Sequence, residues 1–172
     1  MLWLGAAALA LGLASLAARP VRWALLNRSL DARYPDVAWI STHQLADALA
    51  SDAPPTLLDV RRPAEVAVSR IPGAVAVAPD ATVERLRQLG LEGPVVVYCS
   101  VGARSARLAQ RLDAAGVTDV RNLRGSIFAW ANEGRPLARA GGAARTVHPY
   151  DAAWGSYLKP GLRADVSGAS PE

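Results

Sequence analysis

One stretch restricts the fold more than any other: PVVVYCSVGARSARLAQRL, residues 94–112. Val95, Val96, Val97 and Tyr98 are apolar and β-branched or aromatic at every position. A strand with one wet face alternates apolar and polar residues. A continuous apolar run needs cover on both faces, as in a parallel sheet between helices. The residues that follow agree. From Ser105 to Ala115, the side chains of Leu108, Ala109, Leu112 and Ala115 fall on one helical face, and Gly116 ends the run.

The same alternation extends along the chain. VAWI at 37–40 reads as a strand, and Ser41 or Thr42 caps a helix with Leu45, Ala48 and Leu49 on one face. Pro54-Pro55 ends that helix. TLLDV at 56–60, AVAVAP at 74–79 and VTDVRNL at 117–123 are further strands. Short helices are predicted at 83–89 and at 126–132, the latter carrying Ile127, Phe128 and Trp130. The predicted class is α/β, a parallel central sheet of about five strands with helices on both faces. It occupies residues 37–140, after a polar linker at 29–36. Apolar periodicity stops at Gly141, so residues 141–172 are expected to be a flexible tail. Within that tail, HPYDAAWGSY at 148–157 is an aromatic island whose rings are expected to pack back onto the domain.

The N-terminus raises a membrane question. Residues 2–18 are 17 uncharged, mostly apolar residues, followed by Arg19, Pro20 and Arg22. As a helix they would span roughly 26 Å, slightly less than a ~30 Å hydrocarbon core. Trp3 and Trp23 have the spacing of interfacial tryptophans, and Arg19 and Arg22 could snorkel. The expectation is a hydrophobic segment at 1–28, a single-span anchor through residues 2–18, with the domain on the cytoplasmic side by the charge rule. The alternatives are a signal segment cut near Ser15-Leu16-Ala17, with export to the periplasm, and a buried hydrophobic helix.

Composition excludes several classes. Half of the residues are hydrophobic, enough for a core. The net charge is +4, but the arginines are scattered, Lys159 is the lone lysine, and no nucleic-acid motif is present. His43, His148 and one cysteine do not make metal-ligand spacing. That cysteine, Cys99, rules out an internal disulfide and any internal resolving thiol.

Cys99 sits where chemistry is expected. Ligands of open parallel sheets bind beyond the carboxyl ends of strands. The loop after Cys99 leads into a helix start, whose free N–H groups and dipole favour an anion. Gly102 lets the loop curl with positive φ, and Arg104 adds a charge and a fork of donors. Each favours thiolate over thiol. Arg107 and Arg111, further along the helix, read as a solvated face.

Three pieces in register, LLDVRRPAE at 57–65, IPGAV at 71–75 and VVVYCSVGARS at 95–105, resemble the rhodanese family of sulfurtransferases. The resemblance covers roughly residues 37–137. It implies that Cys99 is a nucleophile accepting a sulfane sulfur as a persulfide, and that Ser100, Val101, Gly102, Ala103, Arg104 and Ser105 form an anion-binding loop. It implies that Asp59, Arg61 and Glu65 support the site structurally, and that no metal or organic cofactor is required. The implied partners are a small sulfur donor, thiosulfate or a persulfide, and a thiol, cyanide or protein-cysteine acceptor. The chain has Ser69-Arg70 where the family has Gly-His, and its loop interior, Ser100, Val101 and Ala103, carries no charge. One arginine is modest compensation for the thiosulfate dianion, which favours a persulfide donor. Cysteine phosphatases also join a cysteine loop to an arginine, but with five intervening residues rather than the four here. A membrane-held binding or sulfur-sensing module without turnover is the alternative from another class.

Overall fold

A computed structural model of the protein describes residues 19–91 and 93–166. Five parallel strands form its centre: β1 (Ala38–Ile40), β2 (Thr56–Asp59), β3 (Val75–Ala76), β4 (Val95–Tyr98) and β5 (Val120–Leu123), in the order β1-β5-β4-β2-β3. The valine run therefore lies mid-sheet, with Tyr98 beside Asp59 of β2 and Val97 beside Asn122 of β5. Every β4 residue is buried, which is the cover its composition demands.

Helices supply that cover. They are α1 (residues 19–33), α2 (Thr42–Leu49), α3 (Pro63–Val68), α4 (Val83–Arg87), α5 (Ala103–Ala114), α6 (Ser126–Asn132) and the single turn α7 (Ala152–Gly155). Alternate β4 side chains enter two separate cores. Val96 and Tyr98 join Leu45 of α2 and Ile127, Phe128 and Trp130 of α6. Val95, Val97 and Cys99 join Leu30 of α1, Leu86 of α4, and Ala106, Leu108, Ala109 and Leu112 of α5. The cap of α2 is Ser41: its Oγ accepts the Gln44 N–H at 3.1 Å, and Gln44 Oε1 accepts the Ser41 N–H at 3.0 Å.

The membrane expectation is corrected. The stretch at 2–18 lies outside the described residues, and among those described no helix is long and apolar enough to cross a membrane. Two of the residues assigned to the membrane boundary have other partners. Trp23 packs edge-on against Tyr157 at 5.0 Å between ring centroids. Arg22 lies 4.6 Å from the centroid of the same ring and donates to Ser156 Oγ at 2.5 Å. A tryptophan and an arginine engaged with the domain are not free to sit at a lipid interface. The cytoplasmic placement that rested on the anchor falls with it; the signal segment of the exported alternative lies outside the described residues.

Two further expectations change. The linker at 29–36 is instead helical to residue 33, because Leu30 and Tyr34 face the core and are buried. The tail is folded as far as it is described, to residue 166. β6 (Leu137–Arg139) pairs antiparallel with β7 (Gly142–Ala144), and Val147 and Leu158 are wholly buried. Isolated hydrophobic residues, without periodicity, anchor it.

Candidate functional site

Cys99 follows β4 and turns its side chain towards α5. It is a buried free thiol. Its Sγ accepts the Gly102 N–H at 3.2 Å. That bond requires the loop to double back, which it does at Gly102 with φ +111°, a conformation that L side chains rarely adopt. A Cβ there would also lie 3.4 Å from the Trp39 ring. Asn122 Nδ2 donates to the Gly102 carbonyl at 2.8 Å and fixes the turn from β5. The start of α6 secures the other side. Cys99 N–H donates to Ser126 Oγ at 3.2 Å, and the Cys99 and Ser100 carbonyls accept from Ile127 and Phe128 N–H. The backbone of Cys99 and its loop is thus held by two elements besides its own strand.

This cradle favours the anion. Burial pushes the thiol up, but the Arg104 charge, the Ser105 hydroxyl and amide, and the Gly102 N–H more than offset it. The net displacement of the Cys99 pKa is downward. Ser105 is fully buried, and its hydroxyl has no other hydrogen-bond partner among the described residues.

Arg104 has a second engagement. Its fork grips both oxygens of Glu65, Nη1 to Oε2 at 2.7 Å and Nη2 to Oε1 at 2.8 Å, and Nη2 also donates to Ser100 Oγ at 2.9 Å. Ser100 Oγ donates to Glu65 Oε1 at 2.8 Å, and Arg62 N–H donates to Oε2 at 3.1 Å. Burial would raise the Glu65 pKa, but these four contacts bring it below its ordinary value.

The three charged residues grouped by sequence, Asp59, Arg61 and Glu65, therefore separate by role. Glu65 belongs to the cysteine loop. Asp59 and Arg61 form a wholly buried pair beneath it, Arg61 Nη2 to Asp59 Oδ2 at 2.6 Å and Nε to Oδ1 at 2.9 Å. Arg61 also donates to the Ser69 carbonyl at 2.5 Å. The Tyr98 hydroxyl donates to Asp59 Oδ2 at 2.7 Å and accepts the Ile71 N–H at 3.1 Å. Burial and the Asp59 carboxylate hold the Tyr98 phenol well above its ordinary pKa.

A cavity of about 110 Å³ opens over Cys99, lined by Ser100, Val101, Ala103, Arg104, Tyr150 and Trp154. The last two come from the tail and were not among the sequence candidates. The signal was present, since both lie in the aromatic island, but nothing local shows that the chain returns to the β4 end of the sheet. A larger cavity of about 550 Å³ lies elsewhere, between Leu49, Pro54, Pro72, Trp130 and Pro136. Among the described residues Arg135 is its lone ionisable lining residue, so the smaller cavity is the candidate site.

A free, anion-stabilised thiol at the carboxyl end of a parallel strand, cradled by the loop into the next helix, defines a cysteine-loop protein of the α/β class. The chain belongs to the rhodanese-like domain family, which matches residues 41–133, more than half of its length. It is 37% identical over 98 residues to a sulfurtransferase of Allochromatium vinosum, covering 57% of this chain and 92% of that one. Among solved structures, a rhodanese-like domain protein from Staphylococcus aureus is 30% identical, with a TM-score of 0.53, covering 60% of this chain and 98% of its own. A rhodanese-related protein from Thermoplasma volcanium is 26% identical, also with a TM-score of 0.53, covering 59% and 97%.

Proposed function

We propose that this chain is a sulfurtransferase whose Cys99 thiolate carries the sulfur. One observation carries the reading. The lone cysteine is buried at a strand end with Gly102 N–H directed at its Sγ at 3.2 Å, and with Arg104 and Ser105 favouring its anion. A space-filling thiol needs no such cradle. The family, and kinship with a protein named a sulfurtransferase, support the same class of chemistry.

Cys99 thiolate attacks the outer sulfur of a donor. With a persulfide R–S–SH, the Sγ–S bond forms, the donor S–S bond breaks, and R–S⁻ leaves with the bonding pair. The proton stays on the transferred sulfur. With thiosulfate the leaving group is sulfite. The Cys99 persulfide is itself an anion once deprotonated, and the N–H groups of the loop suit its outer sulfur. A thiophilic acceptor, cyanide or a thiol, then attacks that sulfur and regenerates the thiolate. This is ping-pong covalent catalysis, and Cys99 and its loop are sufficient for it. In this reading Glu65 positions Arg104, while Asp59 and Arg61 support the floor of the site.

Intact-mass measurement tests it. Incubation with thiosulfate, or separately with glutathione persulfide, is expected to add one sulfur, ~32 Da, which cyanide removes and Cys99→Ser prevents. No gain with either donor overturns the reading.

A further inference from the structure

The rim of the Cys99 cavity comes from chain beyond the family match, which ends at residue 133. Tyr150 and Trp154 line that cavity. Their placement is fixed. Tyr150 adopts φ +68°, and its N–H donates to His148 Nδ1 at 2.9 Å. Trp154 N–H donates to Asp151 Oδ1 at 2.8 Å, capping α7. Gly155 packs so closely on Pro149 that a Cβ would lie 2.8 Å from the proline Cβ. Trp154 stacks on Tyr157 at 5.8 Å, and buried Leu158 follows. The rim is thus built against the domain at several points.

Its chemistry is aromatic, and the charge behind it is already spent. Among the described residues Arg104 is the lone cation lining the cavity, and its fork is taken by both oxygens of Glu65. Its guanidinium also lies 5.0 Å from the centroid of Tyr150, with Arg62 at 5.2 Å from the same ring. Thiosulfate entering this cavity would bring two negative charges to a compensated ion pair and lose hydration without a matching gain. An organic persulfide differs. Its reacting end carries at most one charge, and its carbon arm can lie against the two rings, where aromatic contact and burial favour it.

We propose that Tyr150 and Trp154 are specificity-determining residues that select an organic persulfide, R–S–SH, over inorganic thiosulfate as the sulfur donor. The inference rests on the sulfurtransferase reading. The transfer step is the one given above: Sγ–S forms, the donor S–S bond breaks, and R–S⁻ departs with the electron pair. The rings act on the arm R and take no part in bond exchange.

The test compares kcat/KM for glutathione persulfide and for thiosulfate, with cyanide as the common acceptor, in wild type, Trp154→Ala and Tyr150→Leu. The ratio of the two values cancels the fraction of folded, active enzyme, so partial misfolding of a variant does not mimic the effect. The wild type is expected to prefer the persulfide. Each variant is expected to lower the ratio about tenfold, which corresponds to ~1.4 kcal/mol. An unchanged ratio in both variants overturns the proposal and leaves sulfur transfer standing. A wild type that favours thiosulfate also overturns it. A wild type that turns over neither donor overturns both readings, and the intact-mass experiment separates that case from the others.

Discussion

Glu65→Gln isolates one charge at nearly constant shape. In the wild type, Glu65 accepts four hydrogen bonds, two from the Arg104 fork, one from Ser100 and one from Arg62 N–H. Its side chain is 2% exposed and that of Arg104 is 28% exposed. Breaking a fully buried pair by removing one partner costs about 3–5 kcal/mol. Glutamine keeps one acceptor oxygen, and Arg104 retains some contact with water, so the expected loss is lower, about 2 kcal/mol. For a domain of this size that lowers Tm by roughly 4–8 °C at pH 7. The pH dependence is the sharper part. Arg104, Ser100 and Arg62 outweigh burial and hold the Glu65 carboxyl below its ordinary value in the folded protein. A depressed folded-state pKa gives stability that is present above the unfolded value and is lost as pH falls through the folded one. Below that point the wild-type residue is protonated and resembles glutamine. Thermal melts of both proteins from pH 7 downwards should therefore show a gap that closes in acid. A variant as stable as wild type at pH 7, or a gap that stays constant into acid, would refute the reasoning.

Three other outcomes follow from single features. Gly102→Ala is expected to cost about 1–3 kcal/mol in urea unfolding, because alanine at φ +111° is strained. It should also slow iodoacetamide alkylation of Cys99 at neutral pH by disturbing the Gly102 N–H contact; faster alkylation would count against the cradle. Arg104→Met should move the pH midpoint of that alkylation upwards, since the Arg104 charge favours the thiolate; a midpoint that stays put or falls would contradict this. Leu158→Ala empties a site with no exposed surface and should cost about 2–5 kcal/mol, with faster proteolysis of the tail. Unchanged stability would mean that residues 142–166 are not part of the cooperative fold.

Local signals made much of this structure readable. The valine run declares a strand buried on both faces, and the observed β4 is that strand at the middle of the sheet. Cys99, Gly102 and Arg104 lie in one short stretch of chain, so sequence alone brings them together. Contacts between distant segments were not readable. The family resemblance put Glu65 with Asp59 and Arg61 as structural support, whereas its side chain reaches across to Arg104. Tyr150 and Trp154 lie in a segment without periodicity, so only the tertiary path shows that they reach the cavity. The six-residue α3 carried a start signal, Pro63 in its first turn and Glu65 at the third position, but is too short for an apolar face to declare itself. The reading of Trp23 failed for a related reason. A tryptophan beside an apolar run suits a lipid boundary and a protein core equally well, and its partner, Tyr157, is far along the chain.

The division of β4 between two cores has a further consequence. Tyr98 and Cys99 are adjacent, yet the phenol faces the α2 and α6 layer while the thiol faces α5. Parity along the strand decides which layer receives the sulfur. Deleting a single residue between Val95 and Tyr98 while the turns at either end hold would send the thiol to the layer that now receives Tyr98, away from Gly102 N–H. Such a chain would lose one valine and keep every residue of its cysteine loop, and would still lose the cradle. For this protein the length of one short strand, odd or even, decides the surroundings of the thiol as much as the cysteine itself does.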